Sequence, residues 1–294
     1  MSTDKEIPLF IMNGLGNKIA VVDIRHYNGD FLASCVIDLL NHLLIQFDQL
    51  MVIRQSITIN IAAYVQIYNN DGSEAEACGN GIRCVAKIIG DGINPIRLET
   101  VAGILNVNFQ SKDKITVDMG LPKFKWYDIP LSCEVPNTSE VKLQLSPNNN
   151  LSSCSSSVCS IGNPHAIIWV EHNCDIPLDS LGSTLENHPI FSKRANITTA
   201  KIVHPSHVIT RTWERGVGLT KACGSAACAV TACGVRKGTL ARRVKVSLPG
   251  GDLDIAWLSN DSGVLMTGPA ELEHQGVIKQ LPFDKLKFEV QVEK

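Results

Sequence analysis

Two of the ten cysteines stand in nearly the same setting, Cys78-Gly79-Asn80-Gly81 and Cys223-Gly224-Ser225-Ala226. Each string opens a segment that reads as a helix, Ile82 to Ile89 stopping at Gly90 and Ala226 to Val235 stopping near Gly238. The first turn of a helix presents N–H groups without intrahelical acceptors, together with the positive end of the dipole. A thiol placed there is expected to have a lowered pKa, so that thiolate forms near neutral pH. The same N–H groups make a socket for a carboxylate. One such turn suggests a nucleophile or a redox thiol. Two, related by duplication, suggest a carboxylate held between two thiols. The glycines favour this over simple packing, because a helix start stripped of side chains lets backbone approach a ligand. The remaining cysteines, Cys35, Cys84, Cys133, Cys154, Cys159, Cys174, Cys228 and Cys233, are expected to pack as small apolar residues.

The elements that must position these turns occur twice. Gly16-Asn17 and Gly162-Asn163 each open an apolar run, at an offset of 146 residues. The cysteine turns follow at an offset of 145, then glycine-marked extended segments at Gly103 and Gly251, and closing Met119-Gly120 and Thr267-Gly268, both at 148. Four matches in order at a nearly constant offset indicate an internal duplication. Each unit reads as strand, helix, strand, strand, long helix and further strands, an α/β arrangement of two domains facing a cleft, where pockets form. Ile57 to Ile61 and Ala63 to Tyr68 carry the β-branched and aromatic bias of strands. The Ser/Asn-rich stretch 146–160 reads as a surface loop.

Composition narrows the alternatives. The chain has 294 residues, 44% of them hydrophobic, and a formal net charge of −2. That balance argues against a nucleic-acid partner, and Lys193-Arg194 and Arg242-Arg243 read as solvated surface. The first residues lack the pattern of a signal peptide, and no apolar run has the length of a membrane span, so a cytoplasmic protein without membrane partners is expected. No C-x-x-C pair and no nearby Cys/His cluster suggests a zinc or redox module; no metal is expected. Gly14-Leu15-Gly16 lacks the third glycine of a dinucleotide loop and leads into a strand.

The strings MNGLGN (12–17), FDQL (47–50), NNDGSEAEACGNGIRC (69–84), GNPH (162–165), ERGVGLTKACGSAACA (214–229) and LPGG (248–251) together resemble the diaminopimelate epimerase family, and they span nearly the whole chain. The resemblance implies an α/β (α+β) fold of two duplicated domains, each a curved mixed β-sheet wrapped around a central helix, with the active site in the cleft between them. On that pattern residues 1–122, rejoined by a terminal strand at 277–294, form one domain and 123–276 the other. The implied reaction interconverts LL- and meso-diaminopimelate, on the route to lysine and peptidoglycan, with no cofactor and in a homodimer. Cys78 and Cys223 would be the acid/base thiols. N–H groups at Gly79-Asn80 and Gly224-Ser225 would hold the reacting carboxylate, and Glu214 with the Arg215 carbonyl the reacting ammonium. Arg215, Asn69, Asn163 and Asn196 would grip the distal end, with Asn17, Gln49 and His165 lining the site. Gln49 and Asn196, and Asn69 and Glu214, stand at the duplication offset.

Singly, each polar residue has a plainer reading: Asn beside Gly forms turns, Glu214-Arg215 could be a surface pair, and His165 a satisfied strand residue. The sequence departs from the family pattern at Lys18, where an acid is usual, at Ile45-Gln46, at Leu219 in place of Glu, and at Ala226 in place of Gly. Ala226 requires helical backbone there. The alternative within the same fold is a proline or hydroxyproline racemase, which also pairs cysteines but has no second carboxylate for Arg215 to hold.

Overall fold

The computed structural model describes residues 6–26, 46–76, 78–144, 153–172, 176–279 and 289–293, with Lys279 and 289–293 by backbone alone. Contacts divide the chain into two compact units, residues 1–117 with 268–294, and residues 118–267.

In the first unit, β1 (Glu6–Gly14) and β2 (Asn17–Asp23) form a hairpin whose turn places Leu15 and Gly16 at φ of 60° and 84°. β1 alternates, burying Ile7, Leu9 and Ile11. β2 and β3 (Gln49–Arg54) pair in parallel and carry unbroken buried apolar runs, Ile19 to Val22 and Leu50 to Ile53, as strands covered on both faces do. The helix expected between them falls on 27–45, outside the described residues. β4 (Ala63–Asn69) returns antiparallel to β3. Helix α1 (Gly79–Ile89) crosses to β5 (Ile96–Thr100), parallel to β4, and β6 (Gly103–Ser111) and β7 (Lys114–Asp118) follow antiparallel.

The second unit repeats this order behind β8 (Val141–Gln144) and β9 (Ser153–Ser160). β10 (Pro164–Trp169), helix α2 (Leu178–Glu186), β11 (Asn196–His204), β12 (His207–Glu214) and β13 (Gly218–Thr220) lead to helix α3 (Gly224–Lys237). β14 (Arg243–Leu248), β15 (Gly251–Ala256) and β16 (Leu265–Gly268) complete it. β10–β11 is parallel, β11–β12 antiparallel and β12–β14 parallel, the same senses as β2–β3, β3–β4 and β4–β5. The duplication is therefore one of pairing as well as of sequence.

β17 (Glu271–Lys279) then pairs with β1, and β18 (Glu289–Glu293) with β17. The pairing of β17 with β1 starts with Glu271 opposite Asn13. Ile278 joins the first unit's core with Leu9, Val22, Leu50 and Tyr68. The second unit has its own core around Leu143, Val158, Ile168, Leu181 and Ile197.

Three local expectations are corrected. Ile57 to Ile61 is not a strand: Ile57 and Ile59 are 100% and 83% exposed, and Asn60 is left-handed at φ 62°. The Ser56 hydroxyl accepts from the Thr58 N–H and donates to Glu99, which turns the backbone away from a ladder. Residues 153–160 are not a loop but the mostly buried strand β9, where the hydroxyls of Ser156 and Ser157 donate to the carbonyls of Val141 and Ser139. Satisfied serines are compatible with burial. Residues 146–152 of that stretch lie outside the described residues. Cys133 is exposed, whereas Cys84, Cys154, Cys159, Cys228 and Cys233 are buried; Cys35 and Cys174 lie outside the described residues.

Candidate active site

Cys78 is the N-cap of α1, in extended backbone at φ −148° and ψ 96°. Its Sγ accepts the Gly81 N–H at 3.2 Å, and its carbonyl accepts from Ile82. Gly79, Asn80 and Gly81 are all buried, so the first turn is enclosed. A Cβ on Gly81 would lie 1.9 Å from Met51 Cε, so this glycine lets α1 seat directly on β3. The Asn80 side chain is buried against α1. Its Oδ1 accepts from the fully buried Arg83 at 3.0 Å, and Arg83 Nε reaches the Pro269 carbonyl at 3.1 Å. The Asn80 side-chain oxygen is thus committed to Arg83.

Register gathers the other first-unit candidates at one end of the sheet. Gln49 is opposite Ile19 on one side and Asn69 on the other, and Asn17 lies two residues before Ile19. Gln49 Nε2 donates to Asn69 Oδ1 at 3.0 Å, and Asn69 Nδ2 to Ser73 Oγ at 3.0 Å. Gly14, opposite Asn17, is the close neighbour of Asn80, 3.1 Å from Asn80 Cβ to a Cβ built there.

Cys223 is the N-cap of α3, at φ −122° and ψ 107°, but it makes no side-chain cap bond. Its Sγ lies 3.5 Å from Ser225 Oγ, in a buried position. Burial, and then the neighbouring Glu214 carboxylate, push the thiol well above its usual pKa. This corrects the expectation from the helix dipole: the Ser225 hydroxyl and the Ala226 N–H do act in the lowering direction, but desolvation outweighs them. Ala226 sits buried inside the helix with no positive φ, so that turn has no need of glycine there.

Glu214 ends β12 and accepts from Thr220 Oγ1 at 2.5 Å. Asn196, at the start of β11, donates to the Pro164 carbonyl at 3.1 Å and accepts the Arg215 N–H at 2.9 Å. Arg215 also reaches the Lys193 carbonyl through its guanidinium at 3.1 Å. His165, paired in register with Asn196, is fully buried, and its Nε2 lies 2.8 Å from Asn163 Oδ1. Thus Asn163, His165, Asn196, Glu214 and Arg215 form one connected group. Leu219, the departure beside them, is partly exposed on β13.

His165 carries a pH prediction. Burial first, and then the Arg215 charge, lower its pKa to about 3. The folded state holds it neutral while the unfolded chain protonates near 6.5, so stability is present above that value and is lost as pH falls toward 3. Urea unfolding should show wild type losing roughly 2–3 kcal/mol more between pH 7.5 and 4.5 than His165→Asn. Parallel profiles would show that His165 is not held neutral.

Two buried charges escaped the sequence reading. Arg83 was detectable as a lone cation three residues beyond Asn80 in an otherwise apolar helix turn. Glu186, the last residue of α2, gave no signal beyond an acid at a helix end. Among the described residues no group of three or more His, Cys, Asp or Glu is arranged to hold a metal ion, and no helix is long and apolar enough to cross a membrane.

The architecture is that of epimerases and racemases of known structure. A predicted epimerase from Pseudomonas aeruginosa aligns with a TM-score of 0.66 at 17% identity, covering 95% of this chain and 100% of that one. A hydroxyproline epimerase from Agrobacterium vitis aligns at 0.64 and 14%, covering 95% and 93%. These establish the fold. The sequence profile described as diaminopimelate epimerase matches residues 9–125 and again 157–273, one copy for each repeat. A diaminopimelate epimerase from Afipia carboxidovorans is 49% identical over 90% of this chain and 93% of its own length, and one from Rhodopseudomonas palustris is 47% identical over 91% and 93%. The chain belongs to the diaminopimelate epimerase family.

Proposed function

We propose that this protein interconverts LL- and meso-2,6-diaminopimelate by moving one α-proton between two thiols. The observation that carries the reading is the repeated cysteine N-cap, Cys78 on α1 and Cys223 on α3, in a chain whose relatives bear that name. An α-proton is weakly acidic because the carbanion left behind shares its charge only with the adjacent carboxylate. First-turn N–H groups at Gly79-Asn80 and Gly224-Ser225 bind that carboxylate and stabilise the charge as it develops. One sulfur takes the proton as thiolate, and the other returns a proton to the opposite face, so configuration inverts without rotation of the substrate. Burial beside Glu214 favours the protonated form of Cys223, which suits it to return the proton. Each turnover exchanges the two states.

Glu214 and the Arg215 carbonyl take the reacting ammonium. Arg215, Asn69, Asn163 and Asn196 hold the distal amino-acid group, and Asn17, Gln49 and His165 line the site. A cytoplasmic homodimer supplying lysine and peptidoglycan synthesis is the corresponding setting. The test is incubation with LL-diaminopimelate in deuterated water, where α-deuterium and the meso isomer should appear together, with proline unexchanged. Exchange into proline would move the protein to the racemase reading, and no exchange into diaminopimelate would end the proposal.

A further inference from the structure

We propose that Glu186 is a positioning residue for the substrate-gripping Arg215, an assignment that rests on the function proposed above. Its side chain is 6% exposed, and a carboxylate buried to that degree is costly unless it is fully paired. The partners come from three places in the second unit. Glu186 Oε1 accepts from Arg194 at 2.9 Å and from the Gly216 N–H at 2.9 Å, while Oε2 accepts from the Trp213 indole N–H at 2.8 Å.

These donors bracket Arg215 on both sides. Trp213 precedes it by two residues on β12, Gly216 follows it, and Arg194 adjoins Lys193, whose carbonyl the Arg215 guanidinium touches. The turn closes with the Val217 N–H on the Glu214 carbonyl, with Gly216 at φ 76°, a left-handed value suited to glycine. Arg194 is itself held left-handed, at φ 57°, a conformation costly for a residue with a Cβ. The packing beneath is tight as well: a Cβ on Gly182, one turn before Glu186 on α2, would lie 2.3 Å from the Trp213 ring. Asn196 fixes the Arg215 N–H, and Glu186 fixes the residues that carry its two ends.

An amide could not replace this carboxylate. Three donors need acceptor lone pairs on both oxygens, whereas glutamine would present NH2 either to the indole N–H or to the Arg194–Gly216 pair. Glu186→Gln should therefore loosen the turn and raise KM for diaminopimelate about tenfold or more, with kcat changed less. If Glu186 acts through Arg215, the same change made in an Arg215→Met background should lower kcat/KM by less than about twofold, read by α-deuterium exchange. A merely structural role would lower both backgrounds alike. Hydrogen exchange at the Gly216 amide should quicken in Glu186→Gln, independently of activity. Should that variant fail to fold, Arg194→Gln, at a half-exposed position, tests the same network and should raise KM in the wild-type background but not with Arg215→Met. Normal wild-type turnover beside unchanged KM in the folded variants, or equal losses in both backgrounds, would overturn the positioning role alone. A wild type inert toward diaminopimelate would fail the function itself and this assignment with it.

Discussion

Cys78→Ala and Cys223→Ala should each lose about 10³-fold or more in epimerase turnover, the largest effects expected from any single substitution. Inversion needs a base on one face and an acid on the other, and a chain with one thiol can complete only half of it. The two variants should differ in a way the structure specifies. Cys78 caps α1 by accepting the Gly81 N–H, so its removal should also cost about 0.5–2 kcal/mol of stability, as for other N-caps. Cys223 makes no cap bond of that geometry, only a weaker contact with the Ala226 N–H, so the same truncation should cost less there. Steady-state turnover and urea unfolding measured on the same preparations separate the two effects. Serine in place of either cysteine should retain some one-sided α-exchange without net inversion. Should either alanine variant keep more than about a tenth of wild-type turnover, a deficit below roughly 1.4 kcal/mol, that cysteine is not an acid/base residue.

Arg215→Met should lower kcat/KM for diaminopimelate by about 10²-fold or more. A guanidinium paired with a carboxylate away from water is worth several kcal/mol, and truncation leaves the substrate's distal charge unpaired. The Arg215 main-chain N–H donates to the Asn196 side chain, so the turn should survive the substitution and the loss should be one of binding. Proline should stay unreactive with both proteins, because removing a distal anchor does not create a proline site. A variant with wild-type kcat/KM would place the distal carboxylate elsewhere and leave the guanidinium with only its structural contact to the Lys193 carbonyl.

Much of this site is local and therefore readable in one dimension. Cysteine followed by small residues and a helix-forming run determines a helix start, and both N-caps lie at those residues. The repeat offset determines which polar residues correspond, because strand register carries sequence spacing directly into space. Gln49 faces Asn69 for that reason, and Asn196 stands beside His165.

Four things depended on what the fold brings near. Ile57 to Ile61 has strand composition, but the Ser56 hydroxyl and Glu99 take it out of any ladder; β9 has loop composition, but the carbonyls of Val141 and Ser139 satisfy its serines. The protonation of Cys223 follows from how completely the fold buries it beside Glu214, a quantity absent from the dipole argument that applies to any helix start. Glu186 had no signature at all, since an acid at the end of α2 gains a role only when Trp213, Arg194 and Gly216 converge on it. Backbone direction and side-chain type are local properties, whereas desolvation and the pairing of a buried charge are sums over whatever the fold brings near. Those sums exist only in the tertiary structure.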